Sequence, residues 1–288
     1  MRMGRLVTLT LVTLALVAGN LAGQNVSSRS RGAVQTCADL DFEIDGHPAA
    51  RSEERMAVPG SSLAIRLGDG NGIPLKIVGS NRSGYEVLLC KAALDQTSLT
   101  AVRLDRSGNE ISVSGPRSGG WGGYLLVHAP VDANLDVEAS NGPVAISGIA
   151  GRLQASISNG PLSLKNVSGT VDARAANGPI SFSGGSGDVS ITAQNGPISV
   201  DLTGPSWTSG ELRTSTRNGP ITISIPEGYG SGVVVERGAR TPFRCPSSLC
   251  GKRPDFFNDE ETRIEIGSGA PRVHVAATNG PISIKSAR

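Results

Sequence analysis

The side chains best suited to chemistry in this sequence are four cysteines, three histidines and a set of scattered carboxylates. Cys245 and Cys250 flank a short loop, Pro-Ser-Ser-Leu, and could supply half of a zinc site. A structural zinc needs four ligands, and no second pair lies at suitable spacing. An even cysteine count instead favours disulfides, with three possible connectivities. The expected pairing is Cys245 with Cys250, which pins its own loop, and Cys37 with Cys90. His47, His128 and His274 have no neighbouring Cys, Ser-Gly or carboxylate signature of a nucleophile and its base. His274 stands between Val273 and Val275 and is expected to face outward on a strand. Asp136 and Asp172 are the carboxylates that a glycoside-cleaving reading would use. No catalytic, cofactor-binding or metal-binding residue is assigned, and no cofactor is expected.

These residues sit on a repeat. The tripeptide Asn-Gly-Pro begins at Asn141, Asn159, Asn177, Asn195, Asn218 and Asn279, and the first three intervals are 18 residues each. A fixed period is the first thing to interpret in a sequence. Two, four and six residues before Asn159 stand Ile157, Ala155 and Leu153; three and five residues after it stand Leu162 and Leu164. The same alternation recurs around the other copies, so each unit reads as strand, turn, strand. Gly151, Gly169 and Gly187, each ten residues after its Asn, mark a second turn. Asn and Gly tolerate positive φ, and Pro suits the first residue of a strand because it donates no backbone hydrogen bond.

One unit buries about five apolar side chains at ~1.5–3 kcal/mol each, while ordering its backbone costs ~1–2 kcal/mol per residue. A lone unit therefore cannot hold itself together, and stacked units must share their core. The sequence predicts an all-β body, a β-solenoid or β-helix-like stack of 18-residue repeats with the six asparagines forming a ladder of bonded amides. The competing architecture is a β-sandwich or barrel of repeated hairpins. On the outward positions, Asp136, Gln154, Asp172, Ser190, Arg213 and His274 mix charges and form no acidic ladder. A hydroxyl column is expected at Ser163, Ser181, Ser199, Thr222 and Ser283, with Ala145 in the first copy.

The period breaks twice. Five extra residues between Asn195 and Asn218 fall near Pro205 to Ser209 and read as a bulged turn around Trp207. Between Asn218 and Asn279 the register is expected to resume with Glu261 in the Asn slot and Ile264 and Ile266 as strand residues. That leaves an insertion at about 238–260. Before Leu135 the repeat fades, and residues 61–130 read as degenerate β repeats or a cap. Residues 24–60 form an N-terminal segment, of which 24–36 are polar and expected to be disordered. The repeat body spans 131–288.

Residues 1–23 read as a secretory signal peptide: Arg2 and Arg5, an apolar run from Leu6 to Val17, then Ala18, Gly19, Ala22 and Gly23. The run is too short to span a membrane, and an uncleaved anchor is the competing reading. Without this segment 25 basic side chains balance 25 acidic ones. There is no charge-based case for nucleic acid, and no later segment is apolar for long enough to cross a bilayer. The mature chain is expected outside the cytoplasm, in the periplasm, at the cell surface or beyond. Aromatics make up 3% of the chain, against 38 glycines and 17 prolines. Such a composition suits thin, regularly layered β structure.

The segment Val131-Asp-Ala-Asn-Leu-Asp-Val-Glu-Ala-Ser-Asn-Gly-Pro-Val-Ala-Ile-Ser-Gly, with near-copies every 18 residues, resembles a bacterial β-strand-repeat family, a domain of unknown function labelled a putative adhesin. The resemblance covers about residues 60–288. Members carry Asn-Gly or Ser-Gly turns followed by Asp or Ser, whereas this chain has Pro after the Gly. The resemblance implies a non-enzymatic binding protein whose partner is a glycan, an envelope component or another surface protein. The alternatives are a polysaccharide-acting β-helix enzyme and a purely structural envelope component.

Overall fold

The alternation read in the sequence is carried out by the backbone. In Arg152–Asn159, Leu153, Ala155 and Ile157 are buried and the residues between them are exposed. Branched and small aliphatic side chains on one face, with polar ones on the other, fit a strand packed on one side only. The Asn-Gly-Pro turn then passes the chain to a second sheet, where Leu162–Lys165 buries Leu162 and Leu164. It does not join two strands of one sheet, so the hairpin architecture is not what the repeats build.

We describe a computed structural model over residues 16–17, 26–30, 32, 34–68, 72–117, 120–238, 241–246, 250 and 262–287. The described residues are predominantly β, with a helix at Gln96–Ala101 and a short helical turn at Cys37–Asp39. Two sheets of eleven strands each hold the repeats. In the first sheet, Asn134–Asn141, Arg152–Asn159, Thr170–Asn177, Asp188–Asn195, Leu212–Asn218 and Pro271–Asn279 lie side by side, all parallel. In the second, Val144–Ser147, Leu162–Lys165, Ile180–Gly184, Ile198–Leu202, Ile221–Ile225 and Ile282–Ser286 do the same. Inward side chains of both sheets form one continuous apolar cluster.

The turn glycine is required by close approach as well as by conformation. Gly178 has φ +142°, and a Cβ there would lie 2.2 Å from the carbonyl oxygen of Gly160 in the neighbouring rung. At the return turn a Cβ on Gly169 would lie 2.2 Å from the carbonyl oxygen of Gly151. Only glycine allows rungs to stack at this spacing.

The bulge between the fourth and fifth rungs turns Trp207 inward. Its ring lies 6.2 Å from that of Phe182, and its Nε1 donates to the Gly187 carbonyl at 3.0 Å. The later interruption differs from the sequence reading. Ile225 is still paired within the stack and Pro271 begins the next stacked strand, so the excursion is longer than 238–260. It places Gly232–Arg237 beyond Pro271–Asn279 in the first sheet and Phe243–Arg244 beside Ile282–Ser286 in the second. Ile264 and Ile266 do not resume the repeat after an Asn slot. They lie on Arg263–Ile266, which runs antiparallel to Gly232–Arg237 at the edge of the first sheet. The 18-residue spacing back from Asn279 is coincidental there, because the chain is making a return hairpin. Glu261 and most of the expected insertion, 239–240, 247–249 and 251–260, lie outside the described residues.

At the other end, Ser62–Leu67 and Leu75–Ser80 continue the two sheets in parallel register. Beyond them the pairing turns partly antiparallel, through Arg103–Ser107 and Glu110–Ser114 in one sheet. In the other it continues through Trp121–Pro130, Gly84–Ala93 and Ala50–Pro59. The edge strand Ala50–Pro59 carries Arg51, Glu53, Glu54, Arg55 and Pro59, which discourage pairing with another chain. Val26–Ser30 is a strand, not a disordered segment. It joins Leu40–Ile44 and His47–Pro48 in a small antiparallel sheet. Most of the expected signal peptide, residues 1–15 and 18–23, lies outside the described residues.

Candidate functional site: two bare faces of a repeating stack

The pleat that buries Leu162 and Leu164 points Ser163 and Lys165 outward. Because each strand pairs with its equivalent in the next unit, one column runs Ala145, Ser163, Ser181, Ser199, Thr222, Ser283. A second column, two residues on, runs Ser147, Lys165, Ser183, Asp201, Ser224, Lys285. Neighbours in a column are about 4.8 Å apart, and the columns are separated by about 6.6 Å along the strand. Each hydroxyl can donate one hydrogen bond and accept two. The face therefore offers one uncharged hydroxyl column beside a column in which Lys165, Asp201 and Lys285 alternate with serines, both with the period of the backbone.

The outward face of the first sheet is different. Arg66 reaches Asp136 and lies 3.5 Å from Glu138 and 3.9 Å from Glu110. The carboxylate of Asp136 holds the Arg66 guanidinium pKa above its ordinary value. Arg174 bonds Asp172 at 2.7 and 3.0 Å. Asp136 and Asp172, the pair a glycosidase would use, are thus each engaged by an arginine on a strand face. His274 lies 3.9 Å from Glu211. His47 is exposed on the small N-terminal sheet.

Along the edge where the sheets meet, the six turn asparagines are superposed rung upon rung. Asn159 Nδ2 donates to Asn141 Oδ1 at 3.2 Å, Asn177 to Asn159 at 3.1 Å and Asn195 to Asn177 at 3.1 Å. Asn218 donates to Asn195 at 2.9 Å and Asn279 to Asn218 at 3.0 Å, across both interruptions. Cys37 is bonded to Cys90 and Cys245 to Cys250. Among the described residues no group of three or more His, Cys, Asp or Glu side chains is placed to hold a metal ion. No helix among them is long and apolar enough to cross a membrane.

Sequence reasoning missed a second apolar layer. On Gly84–Ala93 and Trp121–Pro130 the outward side chains Leu88, Cys90, Ala92, Tyr124 and Leu126 are buried under Val34, Leu40 and Phe42 of the N-terminal segment. Gly122 leaves room for Val26, whose Cγ1 would lie 2.4 Å from a Cβ there. Burial pushes the Tyr124 phenol up to about 12. The disulfide from Cys37 to Cys90 fastens the cover, and Lys76 Nζ donates to the Val34 carbonyl at 2.6 Å. The signal was available: Val87 to Cys90 and Tyr124 to Val127 are apolar runs without alternation, which marks strands buried on both faces. The Asn-Gly turn also has a relative before Asn141. Asn71-Gly72-Ile73-Pro74 carries one extra residue, and Gly72 packs against Gly142. Beside the cover, Arg55 and Arg82 both bond Glu86 at the rim of an open hollow of about 890 Å³. His128 stands opposite Glu86 on the neighbouring strand; burial first, then Arg82, lowers its pKa.

No protein-family model matches the chain, and no curated protein matches it. Several solved structures do. A putative cell adhesion protein from Clostridium sporogenes is 15% identical, with TM-score 0.34, covering 83% of this chain and 100% of its own. A putative adhesin from Bacteroides fragilis is 9% identical, with TM-score 0.35, covering 83% of this chain and 97% of its own. A putative lipid binding protein from Parabacteroides distasonis is 9% identical, with TM-score 0.33, covering 81% of this chain and 96% of its own.

Proposed function

We propose that this chain is an exported, non-enzymatic, adhesin-like or envelope-associated binding protein. In this reading its repeats form a β-solenoid whose hydroxyl-lined face contacts a glycan or a similarly hydroxyl-rich envelope polymer. The observation that carries the proposal is the in-register column Ser163, Ser181, Ser199, Thr222, Ser283. A single exposed hydroxyl contributes little, because a net hydrogen bond is worth only about 0.5–1.5 kcal/mol. Repetition changes this: once one rung is engaged, the next binds at high effective concentration. Leu94 and Val131 are the only large apolar side chains exposed among the described residues, so a polar partner fits better than an apolar one. Two disulfides support an oxidising compartment.

The test is co-sedimentation of purified protein with cell-envelope fractions and with insoluble polysaccharides. The Ser181→Arg/Ser199→Arg variant is expected to lose binding, and Ser156→Arg/Ser190→Arg, on the opposite sheet, to keep it. Absence of binding to every fraction, or equal loss in both variants, would overturn the reading.

A further inference from the structure

We propose that Asn279 is a site of spontaneous succinimide formation and deamidation, and that the five other turn asparagines of the ladder are protected by the stack itself. In this reaction the backbone nitrogen of the following residue loses its proton and attacks the asparagine Cγ. A C–N bond forms, the bond from Cγ to Nδ2 breaks, and ammonia leaves. Water then opens the ring at either carbonyl, giving aspartate or isoaspartate. Glycine is the most permissive following residue because it has no side chain to hinder the attack. All six ladder turns are Asn-Gly, so their local sequences do not distinguish them.

The stack does. In five turns the attacking nitrogen is engaged by the next rung: Gly142 donates to the Asn159 carbonyl at 3.2 Å, Gly160 to Asn177 at 3.0 Å and Gly178 to Asn195 at 3.0 Å. Gly196 donates to Asn218 at 2.9 Å and Gly219 to Asn279 at 2.9 Å. In the same five turns the Asn Oδ1 accepts from the amide above it, which holds Cγ away from the nitrogen. Asn279 ends the series. Its Nδ2 still donates to Asn218, but among the described residues neither its Oδ1 nor the Gly280 N–H has a hydrogen-bond partner. The chain does pass over this rung, with Gly238 N donating to the Ala277 carbonyl and Thr241 Oγ1 to that of Thr278. Asn279 is exposed.

The experiment uses the full chain, held native at mildly alkaline pH and sampled by tryptic peptide mapping with isoaspartate detection. The peptides Val273–Lys285 and Leu153–Lys165 each contain one asparagine, in the same Asn-Gly-Pro context. In native protein Asn279 is expected to react about tenfold faster than Asn159, the size set by two unmade hydrogen bonds. In urea the two peptides should react at nearly equal rates. Equal rates in the native protein, or a difference that persists in urea, would overturn the proposal.

Discussion

The second sheet has two ends with opposite outer faces. Through the repeats its outward residues are Ser163, Ser181 and Ser199, and that face is bare. At the N-terminal end the same pleat presents Leu88, Tyr124 and Leu126, and that face is roofed by a separate small sheet with a disulfide across the joint. The inward faces are alike at both ends, since one apolar cluster runs through them. Stacking therefore needs only the inward alternation and the turn glycines, while the outward residues decide whether a strand faces water or a cover. The repeats leave their outward face exposed, which is what the proposed contact with an extended partner requires.

The largest effects are expected at the turns. Gly178→Ala should cost about 3 kcal/mol or more in urea denaturation, because positive φ and a backbone clash act together. Gly204→Ala, with φ +75° and nothing within 4 Å, should cost only about 1 kcal/mol. Equal costs would mean that rungs do not approach as described. Next in size is the cover. Replacing Cys37 and Cys90 together by serine should cost about 2–4 kcal/mol for that region. It should also raise binding of a hydrophobic dye as Leu88, Tyr124 and Leu126 are uncovered. Unchanged dye binding would mean the roof holds without its latch.

Smaller effects are expected along the asparagine ladder and at His128. Asn177→Ala removes two ladder bonds and should cost about 1 kcal/mol; Asn141→Ala removes one and should cost about half as much. The smallest effect concerns His128. Its folded pKa lies below the 6.5 of the unfolded chain, so the unfolded state binds the proton first as pH falls. Stability should therefore decline as pH drops through 6.5 toward the folded pKa, and His128→Gln should flatten that part of a Tm–pH curve. An unchanged curve would remove His128 from the account.

Much of the repeat was legible because its signals are local. Leu153, Ala155 and Ile157 alternate within one strand, and Asn-Gly-Pro marks each turn in three letters. What was not legible depends on distant contacts. Nothing near Ile264 reveals that it pairs antiparallel with Val235 rather than opening a new repeat. The polar look of Val26 to Ser30 concealed a strand, because its partner Leu40–Ile44 lies beyond an intervening loop. The hydroxyl column was readable as a spacing, but its alignment follows from parallel pairing, which periodicity alone does not dictate.

The central claim is that equivalent residues lie in successive rungs despite the long excursion before Asn279. Pulsed electron-spin distance measurement between labels at Ser163 and Ser283 tests it most directly. Four strand steps separate these positions, so a backbone separation of about 19 Å is expected. A separation beyond about 30 Å would mean that the excursion occupies rungs of its own between them, and would contradict the stack described here.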